Sequence, residues 1–169
     1  MLGLPYGKVF LVPWTEEWEI EFMKEKQIIE EQIGEHILAI HHIGSTSIPY
    51  LSAKPIIDIA IELENYTDGI HFIKKLELLN YKYRKEVLPE RYYFNKSEPR
   101  THQIHMYEQG NTYLIEQLQF RDYLKDNKTA RMQYEQLKIQ LSQANPTDKH
   151  KYAEDKTNFI TSILTKINA

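Results

Sequence analysis

Residues 37–63 read ILAIHHIGSTSIPYLSAKPIIDIAIEL, and this stretch decides the fold. Residues 37–43 are short, apolar and β-branched, a strand signal, and they run into the small polar turn Gly44-Ser45-Thr46-Ser47. Pro49 and Pro55 bracket a connection. After it the pattern alternates, with Ile57, Ile59, Ile61 and Leu63 on one face and Asp58, Ala60 and Glu62 on the other. The spacing predicts a second strand with a single acidic face.

Upstream, carboxylates at Glu16, Glu17 and Glu19 mark a helix start that suits the macrodipole. Trp18, Phe22, Ile29 and Ile33 form its apolar face, Glu21, Glu25 and Lys26 are read as its wet side, and Gly34 ends it. Downstream, Thr67 and Asp68 are read as capping a helix that carries Ile70, Ile73, Leu76 and Leu79. Two or three strands follow in YKYRKEV, RYYFNKS and THQIHMYE, separated by Leu88-Pro89-Glu90 and Glu98-Pro99-Arg100, an antiparallel meander. From Asn111 the period becomes helical, with breaks at 127–129 and 145–148, giving three helices. The expected class is α+β, a mixed sheet with flanking helices and a helical C-terminal layer, in one domain over residues 1–169.

Composition narrows the function. The 169 residues contain no cysteine, which excludes disulfides, thiolate metal sites and a cysteine nucleophile. No window approaches the roughly 18 apolar residues of a membrane span, and the N-terminus lacks a basic start before a long apolar core, so the cytoplasm is the expected compartment. Residues 1–83 hold 7 basic and 13 acidic side chains, the remainder 14 and 11. An anionic ligand facing the C-terminal half fits that asymmetry, whereas extended nucleic acid would require a basic stripe the chain lacks.

The Gly-Ser turn at the end of one strand, with a carboxylate early in the next, can bind a metal phosphate. Gly44 permits close backbone approach, Ser45 donates to phosphate oxygens, and Asp58 ligates Mg²⁺ or Mn²⁺. The plainer reading makes Gly44 and Ser45 a turn and Asp58 a strand-end residue bonded to backbone. A carboxylate in an Ile-rich strand nevertheless needs a partner, and Lys54 is the candidate. Glu62 shares the face of Asp58 but stands about 13 Å along the strand, too far to share an ion. In THQIHMYE, Gln103, His105 and Tyr107 face one way and His102, Ile104 and Met106 the other, so His102 and His105 cannot chelate together. Arg91, Arg121, Lys138 and Lys156 can form a cationic wall beside Tyr134 and Tyr152, because each Tyr-x-x-x-Lys spacing places its pair on one helix face. Solvated surface positions are the ordinary reading of such residues.

The stretches His42-Ile43-Gly44-Ser45-Thr46-Ser47 and Lys54-Pro55-Ile56-Ile57-Asp58-Ile59 resemble the signature of the GrpB family. Trp14, Trp18, 91–94, 101–105, 120–124, Tyr134 with Lys138 and Tyr152 with Lys156 extend the resemblance over nearly the whole chain. It implies a nucleotidyltransferase-like fold, whose hallmark is a Gly-Ser turn followed by an Asp-x-Asp/Glu pair and a third carboxylate on a later strand. Gly44, Ser45 and Asp58 match; Ala60 stands where the second carboxylate belongs. The implied catalytic residues are Ser45, Asp58 and His105, with Asp58 and His105 as metal ligands. The implied ligand contacts are His42, Gly44, Ser45, Thr46, Lys54, Arg91, Arg121, Tyr134 and Lys138. The ligand class is a nucleotide or another phosphorylated small molecule, and the chemistry metal-dependent phosphoryl or nucleotidyl transfer. Against this stands a non-catalytic ligand-binding or protein-interaction module that retains the fold, accessory to coenzyme A metabolism, because GrpB-like domains also occur fused to dephospho-coenzyme A kinase. A metal hydrolase using His41, His42, His102 and His105 is disfavoured, since adjacent strand residues point to opposite faces, and His102 and His105 are likewise on opposite faces.

Overall fold

The computed structural model describes residues 1–85 and 90–169. Strands β1 (Ala39–Ile43) and β2 (Ile57–Leu63) form at the two apolar runs, and β3 (Tyr81–Arg84), β4 (Arg91–Lys96) and β5 (His102–Glu108) follow. They make one sheet in the order β1-β2-β5-β4-β3. All neighbours are antiparallel except β2 and β5, which run parallel with Asp58 beside Gln103 and Ala60 beside His105. The expected meander is present, and its last strand docks back onto β2. The end of YKYRKEV and the Leu88-Pro89 part of the following turn lie outside the described residues.

Helix α1 (Glu17–Ile33) buries Trp18, Phe22, Ile29 and Ile33 as its periodicity predicts. Glu25 is a correction. Expected on the wet side, it is only 3% exposed, because positions 18, 22, 25, 29 and 33 form one continuous core-facing stripe. A buried carboxylate requires compensation. The Tyr81 hydroxyl and the Lys96 ammonium supply it, each donating to Oε1 at 2.8 Å.

The second correction concerns Thr67 and Asp68, which cap no α-helix. The chain passes through a 3₁₀ segment, Tyr66–Phe72, into a single short turn of helix α2 (Ile73–Glu77). The Tyr92 ring crosses Gly69 so closely that a Cβ there would lie 2.4 Å from it. That approach ties the segment to β4 and leaves Ile70 61% exposed, outside any core stripe.

The two faces of the sheet have different fates. Against one, α1 and α2 pack a core that includes Trp18, Phe22, Ile57, Ile59, Ile61, Phe94 and Ile104. The other presents Asp58, Ala60 and Glu62, with Gln103 and His105 alongside, and is covered in part by α3 (Thr112–Asp126), whose Leu114 sits on Ile43, Ala60 and Tyr107. Helices α4 (Lys128–Ala144) and α5 (Lys149–Ile167) complete the C-terminal layer. There Ile48 and Leu51 of the β1–β2 connection pack against Leu124, Tyr134 and Ile163. Asn111, Asn127 and Asp148 accept hydrogen bonds from the first turns of α3, α4 and α5, the capping that their side chains favour. Among the described residues no helix is long and apolar enough to cross a membrane.

Ile59 is fully buried, whereas Ile70, an expected core residue, is not. Urea denaturation should therefore show Ile59→Ala losing about 2–5 kcal/mol and Ile70→Ala staying within about 0.5 kcal/mol of the parent. Equal losses would refute the 3₁₀ placement.

Candidate functional site

The site begins where β1 ends. Gly44 has φ 73° and ψ −179°, a region that only glycine occupies without strain. A Cβ there would also meet Asp58 Oδ2 at 2.8 Å. Backbone conformation and close approach thus select the same residue. The next three residues make one 3₁₀ turn, Ser45–Ser47. The Ser47 hydroxyl donates to the Gly44 carbonyl, and the Thr46 hydroxyl donates to the Ile56 carbonyl at 3.3 Å. Both are committed to holding the turn, while Ser45 interacts with the Tyr134 hydroxyl.

Parallel pairing sets His105 beside Asp58, with Nε2 3.2 Å from Oδ1. On the far side of the imidazole, Arg91 Nη1 lies 3.0 Å from Nδ1. A guanidinium can only donate, so Nδ1 accepts and the ring proton resides on Nε2, directed at Asp58. Gln103, oriented to satisfy its neighbours, donates to the same Oδ1 at 2.9 Å and accepts from the Tyr93 hydroxyl and Arg100. Asp58 is therefore a carboxylate held by two donors on one oxygen.

Around this floor α3, α4 and α5 enclose a cavity of about 390 Å³. Lys54, Arg121, Lys138 and Lys156 reach it, against the carboxylates of Asp58 and Glu116. Lys138 is 2% exposed; its ammonium donates to the Ser52 carbonyl at 2.6 Å and lies over the Tyr134 ring. Lys54 and Lys156 both lie over the Tyr152 ring, at 5.2 and 4.8 Å. Burial, with Lys156 beside it, pulls the Lys54 ammonium down to about 8. Burial and the two neighbouring lysines push Lys138 well below the usual lysine range, and burial lowers Lys156 as well. Burial raises the Tyr134 and Tyr152 hydroxyls, which stay neutral. Gln117 Oε1 and the Tyr152 hydroxyl, both buried on residues that line this cavity, have no hydrogen-bond partner among the described residues.

Of the residues singled out from sequence, Gly44, Ser45, Thr46, Lys54, Asp58, His105, Arg121, Tyr134 and Lys138 line the cavity. His42 does not. It alternates to the α1 face, stacked on Phe22 at 4.6 Å and bonded to Glu19 and Thr46. Arg91 stands behind His105 instead of lining the space. Lys54 is not the ion-pair partner of Asp58: among the described residues no such pair forms within 4 Å, and His105 takes that place. Glu62 is engaged by His41 at 3.1 Å. The four histidines of the hydrolase reading are not assembled, since His42 and His102 lie on the face opposite His105. Gln103 went unremarked as a site residue, although its spacing two before His105 on one strand face was the available signal.

This donor set does not fit a two-cation centre, in which carboxylates hold ions about 4 Å apart. Ala60 offers no oxygen, Glu62 is paired elsewhere, and His105 turns a proton, not a lone pair, toward Asp58.

The family described as GrpB protein matches residues 8–166. YqkA of Bacillus subtilis is 37% identical over 92% of this chain, which spans 46% of that protein's length. The glutamate-rich protein GrpB of Alkalihalophilus pseudofirmus is 34% identical over 99% of this chain and 100% of its own. The crystal structure of the conserved protein GrpB from Enterococcus faecalis superposes with a TM-score of 0.86 at 35% identity, over 94% of this chain and 96% of that one. Cid1 in complex with its short product ApU superposes with a TM-score of 0.56 at 9% identity, over 78% and 42%. At that identity the likeness concerns the fold, which is nucleotidyltransferase-like.

The double constraint on Gly44 is testable against Gly7, which shares φ 73° but has nothing within 4 Å of a built Cβ. Gly44→Ala should cost roughly 3 kcal/mol or more, and Gly7→Ala about 1–2 kcal/mol, by urea denaturation. In an Asp58→Ala background the Gly44 penalty should shrink, because Oδ2 is gone; an unchanged penalty would count against the close approach.

Proposed function

The chain belongs to the GrpB family, and we propose that its cavity binds a phosphorylated small molecule or nucleotide, with the phosphate received by Lys54, Lys138 and Lys156. The observation that carries this reading is the convergence of three lysines on one partly enclosed space to which, among the described residues, two carboxylates contribute. Burying like charges beside one another is unfavourable, and an anion among them converts repulsion into charge-assisted hydrogen bonds. The unpartnered Gln117 Oε1 and Tyr152 hydroxyl supply polar contacts for the rest of the ligand. Ser45, beside the Gly44 turn, adds a hydroxyl donor.

Asp58 would hold a single Mg²⁺ or Mn²⁺ together with the ligand's own phosphate oxygens, the ion supplying charge neutralisation. Its other oxygen, fixed by His105 and Gln103, orients the carboxylate. Because the second carboxylate is replaced by Ala60, ligand binding is the function best supported, and transfer chemistry is secondary to it. Cid1, of like fold, is described as a poly(U) polymerase with UTP selectivity, which makes nucleoside triphosphates the first ligands to try. A metabolite of this kind belongs to the cytoplasm.

Isothermal titration with ATP, UTP, dephospho-coenzyme A and inorganic phosphate, with and without Mg²⁺ or Mn²⁺, tests the proposal. Lys138→Met or Lys156→Met should weaken binding roughly tenfold or more, the worth of a charge-assisted hydrogen bond. Loss of a metal-dependent increment in Asp58→Asn would support the single-ion arrangement. Binding of none of these ligands by a well-folded protein would overturn the proposal.

The pH dependence has a definite sign. Lys54 binds anions as the ammonium and loses its proton near pH 8 in the free protein. Phosphate affinity should therefore fall between pH 7 and 9.5, with a smaller fall in Lys54→Met. In the same window the unfolded chain still holds the Lys54 proton that the folded chain has released. The contribution of this residue to stability accordingly rises with pH from about 8 toward 10.5.

A further inference from the structure

On the opposite face of the sheet from the cavity, α1 and β5 bring together Glu21, Glu25 and His102. One oxygen of each carboxylate and one ring nitrogen all lie within 4.8 Å of one another. His102 is 4% exposed. Its Nδ1 is 2.8 Å from Thr101 Oγ1, whose own proton is directed to the Lys96 carbonyl at 3.5 Å. Thr101 thus holds one ring nitrogen, and the other, Nε2, is turned toward the two carboxylates. Nε2 lies 3.3 Å from Glu21 Oε1 and 4.0 Å from Glu25 Oε2. Among the described residues this buried nitrogen has no well-formed hydrogen bond. Burial holds the imidazole below the ordinary histidine pKa against the pull of Glu25. One imidazole nitrogen and two carboxylate oxygens thus converge on one place.

We propose that Glu21, Glu25 and His102 form a binding site for a first-row divalent cation of the Zn²⁺ class, separate from the phosphate cavity and serving to clamp helix α1 to strand β5. Mixed imidazole and carboxylate donors suit such an ion better than Mg²⁺ or Ca²⁺, which favour oxygen alone. Bonds of about 2.0–2.1 Å in tetrahedral geometry set donor atoms roughly 3.4 Å apart. The His102–Glu21 separation already matches, and the His102–Glu25 separation requires less than about 1 Å of closure. Glu21 and Glu25 stand one helical turn apart, where like charges repel unless a cation lies between them. The Oε1 of Glu25 is occupied by Tyr81 and Lys96, so Oε2 is the atom free to ligate. Thr101 holds the ring in place through Nδ1, the outer-shell support that ligating histidines use. Glu21 is half-buried, which leaves solvent access for entry and for a water as fourth ligand.

Zn²⁺ alone, titrated into the full chain by competition with a chromophoric chelator and followed in parallel by thermal melting, tests this. One equivalent should bind and raise the melting temperature. Glu21→Gln and His102→Gln should abolish the tight equivalent, and Thr101→Val should weaken it roughly 10–100-fold. Circular dichroism would confirm that each variant is folded, and Glu21→Gln, on the more open ligand, serves if His102→Gln is not. Asp58→Ala should leave the Zn²⁺ equivalent intact, which separates this site from the cavity. Absence of a stoichiometric Zn²⁺ equivalent, or one that survives Glu21→Gln but is lost in Asp58→Ala, would overturn the proposal.

Discussion

The parallel pairing of β2 with β5, seven residues long from Ile57 beside His102 to Leu63 beside Glu108, is the contact on which the remainder depends. It joins two segments more than forty residues apart and fixes their register. A one-residue slip would turn Asp58 into the core and Ile59 into the cavity, because strand side chains alternate. The row of isoleucines on the α1 side holds that register, since a slip would expose four buried apolar side chains at once. The chemistry on one face is thus positioned by hydrophobic packing on the other.

From that register follow two polar constellations, back to back. Asp58, Gln103 and His105 face the C-terminal helices, where Arg91 decides which imidazole nitrogen carries the proton. His102 faces α1, where Thr101 holds a different ring. The two rings are three residues apart and serve opposite sides of the sheet.

The C-terminal helices contribute charge more than shape. Glu135 and Lys138 of α4 grip Ser52 of the β1–β2 connection, the carboxylate accepting from its N–H and hydroxyl and the ammonium donating to its carbonyl. That clamp holds the connection under α4 and brings Lys54 toward Lys156. Arg121 of α3 donates to the His42 carbonyl at the end of β1. The same basic residues that tie the helical layer to the sheet therefore border the cavity, so ligand binding there would also tighten the union of the two layers.

Much of the fold was legible in the chain itself. The β1 and β2 runs, the α1 stripe, the meander and the breaks between the three C-terminal helices rest on local periodicity and turn residues, which act within a few residues. The glycine at 44 and the acid at 58 were legible as a pair for the same reason. Glu25 was misread because its identity outweighed its position on the stripe, and the Thr67–Asp68 helix because Tyr92, remote in sequence, lies across Gly69. What tertiary structure alone decided was proximity: that Tyr134-Lys138 and Tyr152-Lys156 share a cavity, that Asp58 leans on His105 and not Lys54, and that His42 turns away from both. Side-chain partners across a sheet or between helices depend on register and layer packing, and these are settled by the burial of the whole chain rather than by any segment of it.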